Sequence, residues 1–308
     1  MGKVLGSVEK NVKGAIPWLR PLTAEQRDIL QTQEDREIVK WLSDLNFWAK
    51  QDDTFERHEE GTGEWMLNDP RFQSWINGDT AVLWCPGDRI PLAPSPLTQF
   101  SRCGKDDSCV MLLQNLADLR SIAINYLEDN VFCDNDVTMA CVYFDHKQNF
   151  RPVDILRSIL KSVVQRTLPV SDKIRELRRK HSGRETRPTL KEVAEILADE
   201  IQKFKKVFIV LDALDECPEE GYTVSKILEE MRKLQPTVHL MVTGRPFAAN
   251  YMSKFEEFAT LEIRAHDADV EKFVRGHIKM DESIKKYVLK ENEVDELVEA
   301  VVGKAQGM

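Results

Sequence analysis

The stretch Lys205–Glu220, KKVFIVLDALDECPEE, carries the strongest structural signal in this sequence. The apolar run Phe208–Leu211 predicts a strand that passes through the interior of a domain. Asp212 stands at the carboxyl end of that strand, and Asp215 and Glu216 follow closely. Ligands of an open parallel sheet bind outside the carboxyl ends of its strands. The stretch therefore predicts a buried strand and a polar site directly beyond it.

Other apolar runs of strand length occur on both sides of this stretch. They read AVLWC, VTMACVYF, VHLMVTGRP and, more weakly, ATLEI. Amphipathic segments of helical spacing separate them, namely VDILRSILKSVVQRTL, TLKEVAEILADEIQKF and TVSKILEEMRKL. Apolar strands that alternate with helices of this length are typical of a parallel sheet covered on both faces. The predicted fold is therefore an α/β fold with three layers.

The chain divides into three predicted regions. Residues 1–78 are polar and form a helical lead-in, because their apolar residues recur at helical spacing: Ile29, Leu30, Ile38, Val39, Leu42 and Leu45. We predict that Trp65, Phe72 and Trp75 lie on a short helix after Pro70 and dock the lead-in onto a core. Residues 79–265 form the α/β domain, and residues 266–308 read as the beginning of a helical domain.

Composition excludes several classes of protein. Hydrophobic residues make up 42% and charged residues 31% of the 308 residues, the balance of an ordinary globular protein. The net charge of −9 argues against broad nucleic-acid binding, which needs a basic field. The basic run KIRELRRKHSGRETR, Lys173 to Arg187, is predicted to be a solvated helix face and loop, with an anion contact as the alternative.

Cysteine usage and hydropathy predict a cytoplasmic protein without a membrane anchor. None of the six cysteines forms a C-x-x-C pair or lies near a spaced pair of histidines, which argues against a zinc site or a disulfide framework and fits a reducing compartment. The longest apolar run, near Val207 to Leu214, is broken by Asp212 and is far shorter than a membrane span. The N-terminus lacks the apolar region of a signal peptide.

The acidic strand end predicts phosphoryl chemistry with magnesium. In such sites the first acid holds Mg²⁺ through water, and a later acid orients the attacking water. Asp212 takes the first role here, and Glu216 is preferred over Asp215 as the base, with Asp215 as its polar support. Three carboxylates so close together repel one another unless a cation or water lies among them. The alternative is a buried strand followed by a solvated acidic turn.

A second predicted strand, VHLMVTGRP, supplies groups that suit a phosphate. It ends in Thr243 and Arg245, and an arginine can contact phosphate oxygens in a bidentate manner. If this strand lies beside the acidic one, both side chains face the terminal phosphate of a bound nucleotide. A surface turn with an unengaged arginine is the other interpretation.

Several motifs in order resemble one protein family. GTGEW, FQSWINGDTAVLWCPG, SIAINYLEDN, VYFDHKQ, LDALDECPEE and VTGRPF resemble segments of the NACHT type of STAND P-loop NTPases. The likeness is to the nephrocystin-like form common in fungal multidomain proteins, and it extends over roughly residues 36 to 308 apart from one gap. Gly244 stands where the family more often has serine.

The gap falls where the family has its phosphate loop. Relatives continue from WCPG into G-x-x-x-x-G-K-[ST], whose backbone N–H groups, lysine and hydroxyl hold the phosphates and Mg²⁺. The resemblance therefore makes Gly87, which ends WCPG, a candidate cofactor-binding residue. Here the segment Asp88 to Arg120 replaces that loop, and likeness resumes at Ser121. Lys105 is the one candidate for a displaced phosphate lysine, although Asp106 follows it. A shifted reading frame, a retained intron or a misplaced exon boundary would explain the segment.

The resemblance implies a switch driven by binding and hydrolysis of ATP or GTP with Mg²⁺, impaired here by the missing loop. It also implies self-association and protein partners bound through repeats, which this chain lacks, so the chain reads as truncated. A scaffold that keeps the fold without catalysis is the alternative function. A metal-dependent hydrolase or nuclease built on Asp212, Asp215 and Glu216 would need further acids or histidines from other strands, and no such cluster is evident in the sequence.

Overall fold

The computed structural model describes residues 33–56, 58, 61–87, 119–131, 135–183, 185–217, 220–264 and 266–280, with five positions beyond 293. The segment 88–118, with Lys105, lies outside the described residues, as do Ile29 and Leu30 of the lead-in. Most of the helical region predicted after residue 280 lies outside them too. Predictions for these residues remain predictions.

The described residues form a five-stranded sheet with the order β2-β3-β4-β1-β5. All neighbouring strands are parallel. The strands are β1 (Val82–Pro86), β2 (Val137–Tyr143), β3 (Lys206–Asp212), β4 (Val238–Gly244) and β5 (Ala259–Thr260). Every residue of β1 and β2 is buried, as are all but one end residue of β3 and of β4. Burial on both faces explains why these strands are continuous apolar runs rather than alternating ones.

Helices flank the sheet, which confirms the α/β fold expected from the alternating pattern. The described α-helices are α1 (Gln33–Leu42), α2 (Phe47–Phe55), α3 (Glu64–Leu67), α4 (Pro70–Asn77), α5 (Leu119–Asn130), α6 (Pro152–Val164), α7 (Asp172–Ser182), α8 (Leu190–Ile201), α9 (Ser225–Lys233) and α10 (Asp267–Met280). Short 3₁₀ segments, Leu214–Glu216 and Pro246–Lys254, follow β3 and β4. None of the described helices is both long and apolar enough to cross a bilayer.

The lead-in packs against the sheet through α4. Asp69 caps this helix by accepting a hydrogen bond from the Arg71 backbone N–H, and Pro70 occupies its first turn. Phe72 and Trp75 are fully buried, and the Trp75 ring meets Phe208 of β3 at 5.0 Å between centroids. The docking role predicted for these aromatics is confirmed.

The position predicted for Trp65 was wrong. It lies on α3, a separate helix before Pro70, because Asn68 and Asp69 end α3 before α4 begins. The Trp65 ring stacks on His266 at 4.3 Å between centroids. Next to it, the Gly63 N–H donates to Asp269 Oδ2 of α10 at 2.9 Å. These contacts hold the GTGEW segment against the first helix after the sheet.

Arginines of the basic run, on α7 and in the following loop, form ion pairs and hydrogen bonds with the lead-in. Arg175 pairs with Asp35 of α1, whose side chain is 1% exposed, and Arg178 Nη2 lies 3.0 Å from Glu37 Oε2. Arg187 donates to the Trp41 carbonyl at the end of α1. The interpretation as a solvated face was therefore incomplete, since acids on α1 pair with Arg175 and Arg178, and α7 holds the lead-in helix in place.

The amino end of α8 carries a capping box, which gives a testable pH dependence. Thr189 Oγ1 accepts from the Glu192 backbone N–H, and Glu192 accepts in return from the Thr189 backbone N–H. The Lys180 ammonium and then the Thr189 backbone N–H lower the pKa of Glu192 to about 2. A lowered pKa adds stability above the ordinary value of about 4.5, and that stability is lost as the pH falls towards 2.

Replacing Thr189 with alanine is expected to lower the free energy of unfolding by about 0.5–2 kcal/mol at neutral pH, because it removes the cap. Lys180→Gln, which removes the largest cause of the lowered Glu192 pKa, should make the loss of melting temperature between pH 4.5 and pH 2 shallower than in the unmodified protein. Differential scanning calorimetry across this range measures both effects. Thr260→Ala, which changes an exposed threonine of β5, is the control. A loss of stability in Thr189→Ala no larger than in the control, or an unchanged pH profile in Lys180→Gln, would contradict the assignment.

Candidate active site

The carboxyl ends of β3 and β4 hold a buried acid and a hydroxyl together. The register pairs Leu211 with Val242, so the next residues, Asp212 and Thr243, stand side by side. Thr243 Oγ1 donates to Asp212 Oδ1 at 2.6 Å and accepts from the Ala213 backbone N–H at 2.9 Å. Asp212 is 2% exposed and Thr243 is 7% exposed. The threonine therefore fixes the orientation of the acid, which sequence reasoning did not anticipate.

A strained residue turns the chain directly after Asp212. Ala213 has φ 54° and ψ 50°, the left-handed conformation that a residue with a Cβ seldom adopts. Such a conformation costs about 1–3 kcal/mol and persists where surrounding contacts enforce it. The 3₁₀ turn Leu214–Glu216 follows at once. The turn keeps Asp215 and Glu216 near the ends of the strands.

Asp215 and Arg245 form an ion pair across the ends of the same two strands. Asp215 Oδ1 accepts from the Arg245 backbone N–H at 3.2 Å, and Arg245 Nε lies 3.2 Å from Asp215 Oδ2. The Asp215 side chain is 7% exposed, whereas that of Arg245 is 42% exposed. A Cβ at Gly244 would lie 3.2 Å from Asp215 Oδ1 and 3.3 Å from Trp84. Glycine at this position therefore leaves room for the acid.

Glu216 faces residues that follow β2. His146 Nδ1 lies 3.5 Å from Glu216 Oε2 and 3.7 Å from Asp145 Oδ1. The Lys147 backbone N–H donates to Asp145 Oδ1 and lowers the pKa of that carboxyl. The motif VYFDHKQ contains Asp145 and His146, but the sequence prediction gave neither of them a role at the site. Their position directly after a buried strand was the signal that could have identified them.

The three carboxylates after β3 each lie beside a different polar or basic side chain. Thr243 donates to Asp212, Arg245 pairs with Asp215, and His146 lies beside Glu216. Each partner comes from the end of a neighbouring strand, β4 or β2. The sequence could show that the acids are close, but only the strand order shows what separates them.

Two predicted site residues remain, Gly87 and Lys105, and the structure describes only Gly87. The Gly87 backbone N–H donates to the Gly244 carbonyl at 3.0 Å, which extends the pairing of β1 with β4. A Cβ at Gly87 would lie 3.3 Å from Ile263 Cβ. Gly87 thus lies at the same edge as Asp212 and Arg245, with its N–H already engaged. Lys105 lies outside the described residues.

Strand order places this edge where α/β proteins bind ligands. From β1 the chain runs to β2, the strand at one edge of the sheet. From β4 it runs in the opposite direction to β5, the strand at the other edge. The crevice at such a reversal, outside the carboxyl ends of the strands, is the usual ligand position. The fold and this edge define an α/β protein whose candidate site lies beyond β1, β3 and β4.

Comparison with protein families supports part of the resemblance. Residues 118–245 match the model of the family described as Nephrocystin 3, N-terminal. The matched range contains β2, β3, β4 and all of the paired acids of the site. It begins close to Ser121, where the family likeness was predicted to resume. Comparison with curated proteins found no match.

Comparison with solved structures gives weak similarity only. Two chains come from structures of Drosophila ORC bound to Cdc6 and to AT-rich or GC-rich DNA, and each is 12% identical with a TM-score of 0.30. The matches cover 78% and 79% of this chain and 61% and 62% of those chains. This chain thus spans about three fifths of their length. At so low a TM-score the similarity does not bear on function.

Proposed function

We propose that this protein is a nucleotide-binding module of the NACHT/STAND type whose affinity for ATP or GTP is weakened. The observation that carries the proposal is the pair of contacts Asp212–Thr243 and Asp215–Arg245 at the edge of β3 and β4. The match of residues 118–245 to the nephrocystin 3 N-terminal family supports it.

The described donor set fits a magnesium–nucleotide complex in part. Asp212 would hold Mg²⁺ through water, because its carboxylate is oriented by Thr243 at the edge of the sheet. Arg245 is sufficiently exposed to reach a phosphate while Asp215 holds its backbone in place. When bound, Mg²⁺ would neutralise phosphate charge. The family's phosphate loop corresponds to the segment that lies outside the described residues.

Burial separates the proposed roles of the two later acids. The Glu216 side chain is 17% exposed, so its carboxylate can accept a proton from water at the edge of the sheet. Asp215 is 7% exposed and is paired with Arg245, which suits a positioning role. We therefore assign Glu216 as the base and Asp215 as its support, and Arg245 as the group that contacts phosphate.

The missing phosphate loop sets the expected affinity. Each charge-assisted hydrogen bond contributes about 1.5–3 kcal/mol. Losing two of them costs roughly 4 kcal/mol, which changes a micromolar dissociation constant to about a millimolar one. The proposed context is a cytoplasmic switch that self-associates on nucleotide exchange, within a longer protein whose repeats bind protein partners.

The decisive experiment measures nucleotide in the purified protein and after addition. Chromatography of the denatured protein should detect little released ADP, ATP, GDP or GTP. Added Mg·ATP or Mg·GTP should bind with a dissociation constant of about 1 mM. Asp212→Asn should weaken that binding about tenfold or more, since it removes the charge that holds the metal. Asp199→Asn, at an exposed acid on α8, is the control.

Two outcomes would overturn the proposal. Protein that binds neither nucleotide at several millimolar would favour the scaffold, which keeps the fold without catalysis. Near one tightly bound nucleotide per chain would show that affinity is not weakened and that the segment 88–118 builds a working pocket. Equal binding by Asp212→Asn and Asp199→Asn would remove Asp212 from the site.

A further inference from the structure

Three metal-ligating side chains converge beyond the ends of β2 and β3. They are Asp145 and His146, which follow β2, and Glu216, in the 3₁₀ turn after β3. One ligand atom from each lies within 4.8 Å of the others. The Asp145 and Glu216 side chains are 28% and 17% exposed, while His146 is 65% exposed and open to solvent. The cluster is therefore accessible to an ion without rearrangement of the core.

The separations suit a small divalent cation. Ligands about 2.1 Å from a tetrahedral zinc ion lie about 3.4 Å from one another. His146 Nδ1 lies 3.5 Å from Glu216 Oε2 and 3.7 Å from Asp145 Oδ1. Two of the three ligand separations are thus already close to the required value. The third separation, between the Asp145 and Glu216 carboxylate oxygens, is at most 4.8 Å.

The types of ligand select the kind of metal. Imidazole nitrogen suits zinc and similar transition metals, whereas calcium and magnesium prefer sites made only of oxygen ligands. One histidine and two carboxylates leave a fourth position for water, the arrangement of an open zinc site. The Lys147 backbone N–H donates to Asp145 Oδ1 at 2.9 Å and so fixes the carboxylate, whose Oδ2 takes no part in this bond. No cysteine takes part.

We propose that Asp145, His146 and Glu216 form a binding site for Zn²⁺ or a similar divalent transition metal. This site differs from the magnesium position assigned to Asp212, whose carboxylate is bonded to Thr243 of β4. Metal binding does not depend on nucleotide binding. Its consequence for catalysis does rest on the proposed function, since a metal held by Glu216 would occupy the proposed base and slow hydrolysis.

The test is a titration of chelator-treated full-length protein with Zn²⁺ in nucleotide-free buffer, read by competition with a chromophoric chelator. Beyond any zinc bound by thiols, we expect one zinc ion to bind per chain at this cluster. His146→Gln and Glu216→Gln should each reduce the affinity for that ion about tenfold or more. His266→Gln changes an exposed histidine away from the cluster and should bind as the unmodified protein does. All variants retain the six cysteines, so binding to thiols is common to them.

The outcomes separate this site from the proposed function. Loss of the additional zinc ion in His146→Gln but not in His266→Gln supports the site, whether or not nucleotide binds. Equal zinc affinity in the unmodified protein and His146→Gln would overturn it. Because His146 is largely exposed, its replacement leaves the core intact, and circular dichroism verifies that both variants are folded.

Discussion

Replacing Trp75 with alanine is expected to lower the free energy of unfolding by about 3–5 kcal/mol. The indole is fully buried and lies between Phe208 of β3 and Phe72 of the same helix, at centroid distances of 5.0 and 5.7 Å. Truncation removes this contact area and leaves a cavity between α4 and the sheet. The residue precedes the predicted start of the α/β domain at 79, so a large effect shows that α4 belongs to the same folding unit.

Urea denaturation followed by circular dichroism measures this loss. Trp75→Phe is the matched variant, because the Trp75 indole N–H has no hydrogen-bond partner among the described residues and phenylalanine keeps most of the ring volume. Its expected cost is below about 1.5 kcal/mol. A loss under about 1 kcal/mol for alanine, or an additional transition at low urea, would indicate that α4 unfolds independently of the sheet.

Replacing Thr243 with valine is expected to destabilise the protein by about 2–4 kcal/mol. The hydroxyl donates to the Asp212 carboxylate and accepts from the Ala213 N–H, and valine can do neither. A hydrogen bond to a charged group contributes about 1.5–3 kcal/mol, and a neutral one contributes about 0.5–1.5 kcal/mol. Asp212, which is 2% exposed, cannot recover the lost donor from bulk water.

Thr243→Ser distinguishes the hydroxyl from the methyl group. Serine keeps both hydrogen bonds and loses one buried methyl, so its expected cost is about 1 kcal/mol. Chemical denaturation of the two variants at neutral pH gives the comparison. Equal losses for valine and serine would mean that packing, and not the bond to Asp212, accounts for the effect. If nucleotide binding is detectable, valine should weaken it more than serine does.

Much of the fold could be predicted from local pattern. The apolar runs at β1 to β4 specify strands because each is buried on both faces, and the amphipathic segments between them specify helices. The position of Trp65 was wrong because the stop at Asn68 and Asp69 between α3 and α4 was not recognised. The basic run was interpreted incompletely because the acidic partners of Arg175 and Arg178 lie far away in the chain, on α1.

The sequence by itself determined the strand end with its three acids and the second strand with Thr243 and Arg245. Both follow from the types of residue and their spacing within a short stretch of sequence. Only the tertiary structure decided the pairings, because Asp212 meets Thr243 and Glu216 meets His146 through strand order and register. Those contacts join residues far apart in sequence, and the physical reason is that hydrogen bonds between strands, not local propensity, bring them to one edge.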